Sequence, residues 1–216
     1  MKKTLVVIVA GLLILTAFTQ NVKAQEWNMK LDIYSSYIWR GLKFGSGPAF
    51  QPTIEFNKDG FAIGAWGSVN ASIDEAAEVD LYASYGFDLS ENTSLSFMVT
   101  DYYYPGTDWL SGESHFIEPL VSLGVGAFTF TAAYMTGENV SDIYLEAAVT
   151  AGPVDIILGG GDGQYTYDGD LGISNIGLRT AKEITITDSF VIPVSGSVVL
   201  NPSTEQFYLV VGITLQ

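Results

Sequence analysis

The sequence predicts an all-β fold, a transmembrane antiparallel up-and-down barrel of about twelve strands with both termini periplasmic, on three observations. Runs of roughly ten residues alternate apolar with polar or small side chains, as strands with one apolar face do. The connections between runs are alternately short and long, the rhythm of hairpins with tight turns at one end and larger loops at the other. A secretory leader precedes them: Lys2 and Lys3 stand before the apolar stretch from Leu5 to Phe18, and Val22-Lys23-Ala24 offers small residues for cleavage near Ala24. Residues 1–24 are thus read as a signal peptide and 25–216 as one outer-membrane barrel domain.

The first run, Trp27 to Trp39, sends Met29, Leu31, Ile33, Tyr37 and Trp39 outward and Lys30, Asp32, Tyr34 and Ser36 inward. After a loop through Gly41 to Pro48, the second sets Phe50, Ile54 and Phe56 against Gln51, Thr53 and Glu55, and Asn57-Lys58-Asp59-Gly60 turns the chain. The third sets Phe61, Ile63 and Ala65 against Gly64, Trp66 and Ser68; Val69 to Ala77 is a loop. The fourth sets Val79, Leu81, Ala83, Tyr85 and Phe87 against Glu78, Asp80, Tyr82 and Ser84, and Ser90 to Thr93 turns into Leu95, Phe97 and Val99. A long loop from Tyr102 to Ser114 leads to the sixth run, with Ile117, Val121, Leu123 and Val125 outward and Glu118, Ser122 and Gly124 inward.

A turn at Gly124 to Ala127 precedes Phe128, Phe130, Ala132 and Tyr134; a loop from Thr136 to Asp142 precedes Ile143, Leu145, Ala147 and Val149, opposite Tyr144 and Glu146. Gly152-Pro153 turns into Val154, Ile156 and Leu158, and Gly159 to Ser174 reads as the longest external loop. The tenth run sets Ile176, Leu178, Ile184 and Ile186 against Asn175, Arg179 and Glu183, with Lys182 a misfit on the outward parity. Phe190, Ile192, Val194 and Val198 mark the eleventh, Asn201-Pro202-Ser203 the last loop, and Phe207, Leu209, Val211, Ile213 and Leu215 the twelfth. Phe56, Phe61, Phe87, Phe128 and Phe190 flank the tight turns, whereas Tyr37, Trp39, Phe50, Tyr134 and Phe207 flank the loops, which suggests two interfacial girdles.

Composition agrees. A mean hydropathy of +0.27 beside a net charge of −15 suits a barrel with apolar residues toward lipid and acids in the lumen, loops and turns. Three of the nine basic residues lie in the leader and 24 Asp and Glu remain outside it, so nucleic acid is excluded as a partner. With no Cys there is neither a disulfide, a lipoprotein anchor nor a thiolate metal site. Outer-membrane lipid and a small solute or ion are the expected partners.

Ser36-Tyr37-Ile38-Trp39-Arg40-Gly41, Pro48-Ala49-Phe50-Gln51, Gly60-Phe61 with Gly64-Ala65-Trp66-Gly67-Ser68, Glu78-Val79-Asp80-Leu81-Tyr82 and Tyr103-Tyr104-Pro105-Gly106 together resemble the TorF-like porin family. The resemblance covers about the first third of the chain, with weaker motifs beyond, and implies an outer-membrane barrel of undefined solute in a Gram-negative cell. The chain departs from many such barrels in ending Thr214-Leu215-Gln216, without a terminal aromatic residue.

Parity places Glu55, Glu78, Asp80, Glu118, Glu146 and Glu183 inside, with Lys30, Arg40 and Arg179 as basic partners. Carboxylates cannot be buried dry and unpaired. Either water fills an acidic, cation-preferring channel whose selectivity is set by Arg40, Arg179 and the acids, or the acids cluster around Arg40 and Arg179 and plug it. The alternative function is then a structural or surface-interaction role. Tyr102, Tyr103, Tyr104, Trp109, Phe116, Tyr165 and Tyr167 are expected at the mouth, as a girdle or a stacking surface.

Gly159-Gly160-Gly161-Asp162-Gly163 lacks the Gly-Lys-Ser/Thr of a phosphate loop. Asp162, Asp168 and Asp170 approach a calcium loop, but Ile173 stands where its Glu belongs. A lipid hydrolase would need His115 with Ser111 or Ser114, and no spacing places them together; Ser195 lacks the preceding Gly of a nucleophile elbow. The expectation is no enzyme, no cofactor and no metal.

Overall fold

The computed structural model describes residues 27–71, 77–188 and 190–216; the leader, its cleavage site near Ala24 and Gln25 lie outside the described residues. Twelve antiparallel strands close into a barrel: β1 (Trp27–Tyr34), β4 (Ala49–Lys58), β5 (Phe61–Asn70), β6 (Glu78–Ser90), β7 (Thr93–Tyr103), β8 (His115–Val125), β9 (Phe128–Gly137), β10 (Val140–Ala151), β11 (Val154–Gly161), β12 (Gly172–Thr187), β13 (Phe190–Asn201) and β14 (Gln206–Leu215). Two short strands, β2 (Tyr37–Trp39) and β3 (Leu42–Phe44), pair only with each other. Closure comes from β1, which pairs with β4 from Trp27↔Phe56 to Tyr34↔Ala49 and with β14 from Leu31↔Leu215 to Tyr34↔Gly212. Every wall strand therefore has two neighbours, and the ring has no open edge to satisfy.

The predicted parity holds along the wall. Ile63, Leu81, Val99, Leu145, Leu158 and Leu209 stand exposed on the outer face, while Ser68, Glu78, Asp80, Glu118, Asn175 and Val210 are buried inside. An apolar exterior around a polar interior is the distribution of a barrel solvated by hydrocarbon.

One end is built of tight turns. Asp59 and Gly60 both have positive φ (50° and 84°), the type I′ geometry whose twist matches the flanking strands, and Gly126 (58°) and Gly152 (63°) open the turns Gly126-Ala127 and Gly152-Pro153. Both ends of the described chain lie at this end, as an even strand count requires.

Several boundaries differ from the sequence reading. The strand β5 runs on to Asn70, the Gly124 to Ala127 turn shrinks to its last two residues, and Thr136 to Asp142 is a tight turn at Glu138-Asn139, with Asn139 at φ 60°. The stretch from Gly159 to Ser174 is strand at both ends, leaving 162–171 as connection.

The ends of β12 and β13 explain Lys182. The strand β12 meets β11 only as far as Thr180↔Val154, and β13 meets β14 only from Val194↔Ile213. Residues 181–187 and 190–193 thus form a two-stranded ribbon beyond the wall, on which Lys182 is exposed. Glu183 is corrected with it: its parity is inward, but it lies past the last residue of β12 that pairs with β11 and its side chain is exposed.

Gly60 and Gly126 separate two sources of strain. A Cβ on Gly60 would meet the Gly86 carbonyl oxygen at 2.3 Å, whereas one on Gly126 would meet nothing within 4 Å. Gly126→Ala should cost about 1–2 kcal/mol, the left-handed penalty alone, and Gly60→Ala clearly more. Denaturant midpoints of the two variants check the order.

Candidate functional site: a hairpin across the lumen

The expected first strand stops five residues early. Tyr34 is its last paired residue, and Ser35 makes the final links to the wall, its N–H donating to the Val211 carbonyl (2.8 Å) and its hydroxyl accepting from the Val211 N–H (3.1 Å). The chain then folds inward, so Tyr37 is buried in the lumen and Trp39 packs there beside Tyr102, Tyr165 and Phe44. Neither ring belongs to the outer girdle.

The inlet is a hairpin in which Tyr37 to Trp39 pair with Leu42 to Phe44 around Arg40-Gly41. Both turn residues have positive φ (51° and 84°), again the type I′ turn. Arg40 tolerates that conformation because its backbone and its side chain are both held. Its carbonyl accepts from the Ser174 hydroxyl (3.2 Å), and that of Gly41 accepts from Asn201 Nδ2 (3.1 Å). Glycine is required at position 41, since a Cβ there would lie 1.7 Å from the Ser174 carbonyl oxygen.

The Arg40 guanidinium forks onto Glu118 (2.5 and 2.9 Å) and donates to the Tyr165 hydroxyl (2.8 Å), while its carbon lies 4.5 Å and 4.3 Å from the Trp39 and Tyr144 ring centres. Glu118 also accepts from the Tyr102 hydroxyl at 3.1 Å. The hairpin springs from β1 and β4, and its tip touches β8, β10, β12, β13 and the 162–171 connection, so it crosses the barrel. Its return is tied to β5 by Asn70 Nδ2, which donates to the Phe44 and Ser46 carbonyls (3.2 and 3.4 Å).

Around the tip, Ala133, Tyr144 and Tyr165 are buried with Trp39, Leu42 and Leu120 packed on them, an apolar core inside a polar lumen. Tyr165 is fully buried and not at the mouth; Tyr167, two residues on, is exposed as expected. The glycine run makes the room: a Cβ on Gly159 would lie 2.1 Å from the Tyr144 hydroxyl, and one on Gly161 would lie 2.5 Å from the Tyr165 ring.

The other predicted residues are distributed differently. Glu55 accepts from Tyr82 (2.7 Å) and Asn57 (2.7 Å), and Glu146 from Tyr144 (2.7 Å) and Asn175 (3.2 Å). Glu78 hydrogen-bonds to Tyr37 and Asp80, yet Glu78 Oε2 and Asp80 Oδ1 are buried with no protein partner. Arg179 pairs with Asp155 (3.2 Å), an acid absent from the sequence reading, and Lys30 with Asp32 (2.9 Å). Of the acids expected to cluster around the two arginines, Glu118 alone does so among the described residues.

Two cavities flank the hairpin toward the tight-turn end. One of about 440 Å³ is lined by Trp39, Trp66, Tyr102, Glu55 and Asp80; the other, of about 240 Å³, by Gln51, Arg179, Ser195 and Ser197.

His115 has both ring nitrogens engaged, Nδ1 by Asp101 (2.8 Å) and Nε2 by the Trp109 carbonyl (2.8 Å), which leaves neither free to take a proton from Ser111 or Ser114. Asp162 and Asp168 spend an oxygen each on the backbone N–H groups of Ile143 and Asp170, and no metal-holding group of three occurs among the described residues.

Residues 22–137, more than half of the chain and including the whole hairpin, match the family described as "Bacterial protein of unknown function (Gcw_chp)". The chain belongs to that family. No curated protein matches it. Among solved structures it is similar to the outer membrane protein OprD from Pseudomonas aeruginosa, at 11% identity and a TM-score of 0.40, over 90% of this chain and 66% of that one. The Gcw_chp match ends before Tyr144, Tyr165, Ser174 and Asn201, so part of the hairpin's socket lies outside the matched segment.

Arg40→Gln and Glu118→Gln should each destabilise the protein by about 3–5 kcal/mol, because each strands a buried partner. The double variant should cost less than the sum. A double-mutant cycle on unfolding free energies measures the coupling.

Proposed function

We propose that the chain is a non-enzymatic outer-membrane barrel of a Gram-negative bacterium, secreted with cleavage near Ala24, that passes small solutes along a narrow lumen and prefers cations. The observation that carries this reading is the uneven neutralisation of lumen charge. Arg40 is matched by Glu118 and Arg179 by Asp155, while Glu55, Glu78, Asp80 and Glu146 pair with no arginine among the described residues. The residual field is negative and attracts cations. The apolar outer face and the resemblance to TorF-like porins support the membrane setting, and twelve strands leave a bore narrower than that of the large porins. The Arg40 hairpin sets that bore. A second reading, a plugged barrel with a structural or surface role, is favoured by the apolar core around Tyr144 and Tyr165.

Planar-bilayer recordings across a salt gradient separate the two. A small, cation-selective conductance is expected. Glu78→Gln with Asp80→Asn should lower the preference, and Arg179→Gln should raise it. Anion preference in the wild type refutes the channel reading, and a folded but silent barrel establishes the plugged one.

Topology has its own check. Cys introduced at Gly106 or Glu205 should react with a membrane-impermeant thiol reagent on intact cells, and Cys at Asp59 should not. Labelling at Asp59 alone would invert the orientation.

A further inference from the structure

The larger cavity is an open pocket lined by the inner faces of β1 and β4 to β7 and by Tyr37 and Trp39 of the hairpin. Its volume, about 440 Å³, lies in the range of sites that hold small organic molecules. Two kinds of surface meet in it. Trp39, Trp66, Tyr82 and Tyr102 present ring faces and edges. Asp80 and Thr53, level with each other on either side of Trp66, present Oδ1 and Oγ1, each buried and without a protein partner among the described residues. Asp80 is itself only 7% exposed.

Both orphan atoms are oxygens, and a carboxylate oxygen out of water calls for a donor. The cavity wall supplies no free cation among the described residues: Lys30, its one basic residue, is engaged by Asp32 at 2.9 Å. A neutral sugar would satisfy hydrogen bonds but leave the one negative charge that Asp80 and Glu78, hydrogen-bonded through a shared proton, carry between them. A bare metal ion would want several oxygen ligands, and the described residues hold no group of three acidic, His or Cys side chains that could bind one. An alkylammonium ion meets both demands, since its N–H groups donate to the oxygens while its charge and methylenes lie against the aromatic rings.

We propose that this cavity binds a small organic ammonium ion, with its N–H groups on Asp80 and Thr53 and its alkyl body between Trp39, Trp66 and Tyr102. The site stands on the cavity's own geometry and does not require the barrel to conduct.

The test uses the full chain expressed in cells, purified from membranes and held in a neutral detergent, and titrated by calorimetry and tryptophan emission. Pentylammonium should bind saturably at one site and shift the emission of the two lining tryptophans. Tetramethylammonium, which has charge but no N–H, and 1-pentanol, which has shape but no charge, should each bind at least tenfold more weakly. Sodium should not compete at equal concentration. Asp80→Asn should lose tenfold or more in affinity and Thr53→Val a few-fold, while Ser197→Ala, in the other cavity, should bind as the wild type does. If Asp80→Asn fails to fold, Thr53→Val and the probe series carry the test. Absence of saturable binding, equal affinity for 1-pentanol, or unchanged affinity in Thr53→Val overturns the site. A barrel that binds pentylammonium but is silent in bilayers overturns the channel and leaves the site standing.

Discussion

The contact between Arg40 and Glu118 governs how the interior of this barrel is arranged. A guanidinium and a carboxylate taken out of water are tolerated only when each satisfies the other and the remaining donors and acceptors are filled. Here the fork is bidentate, Tyr102 and Tyr165 occupy further sites, and two rings lie against the cation. The planar fork fits both the carboxylate and the rings, which a lysine ammonium would not. Because Arg40 sits at the tip of a hairpin rooted on the opposite wall, this one pair fixes the position of everything the hairpin carries.

What it carries is mostly aromatic. Tyr37 packs on Trp66, and Trp39 packs on Tyr102 and Tyr165, so hydrophobic burial and the ion pair reinforce each other. Small residues on the opposing strands make this possible: Gly159 and Gly161 leave space beside Tyr144 and Tyr165 that any side chain would fill. Below the hairpin the interior is divided in two, an acidic, ring-lined cavity on one side and a serine-lined one holding Arg179 on the other. The division follows from which strands supply acids, since Glu55, Asp80 and Tyr82 project from β4 and β6 while Ser195 and Ser197 project from β13.

The sequence by itself determined the wall. Period-two alternation reports which face of a strand meets an apolar environment, and a closed ring with lipid outside converts that face into an address for each residue. Strand number, the tight turns at Asp59-Gly60 and Gly152-Pro153, and the inward side of Glu55, Glu78, Asp80, Glu118 and Glu146 could all be read from local pattern. Only the tertiary structure decided what fills the ring. Tyr37 and Trp39 continue the alternation of β1 without a break, and an aromatic residue suits a lipid interface and a packed lumen equally well, so pattern alone sends them outward. Lys182 and Glu183 keep the parity of β12 but lie past the end of its neighbour, and strand overhang depends on register with a distant segment. The partners of Arg40 lie 78 and 125 residues away. Pairing across a barrel is set by closure and shear, which no stretch of sequence contains on its own.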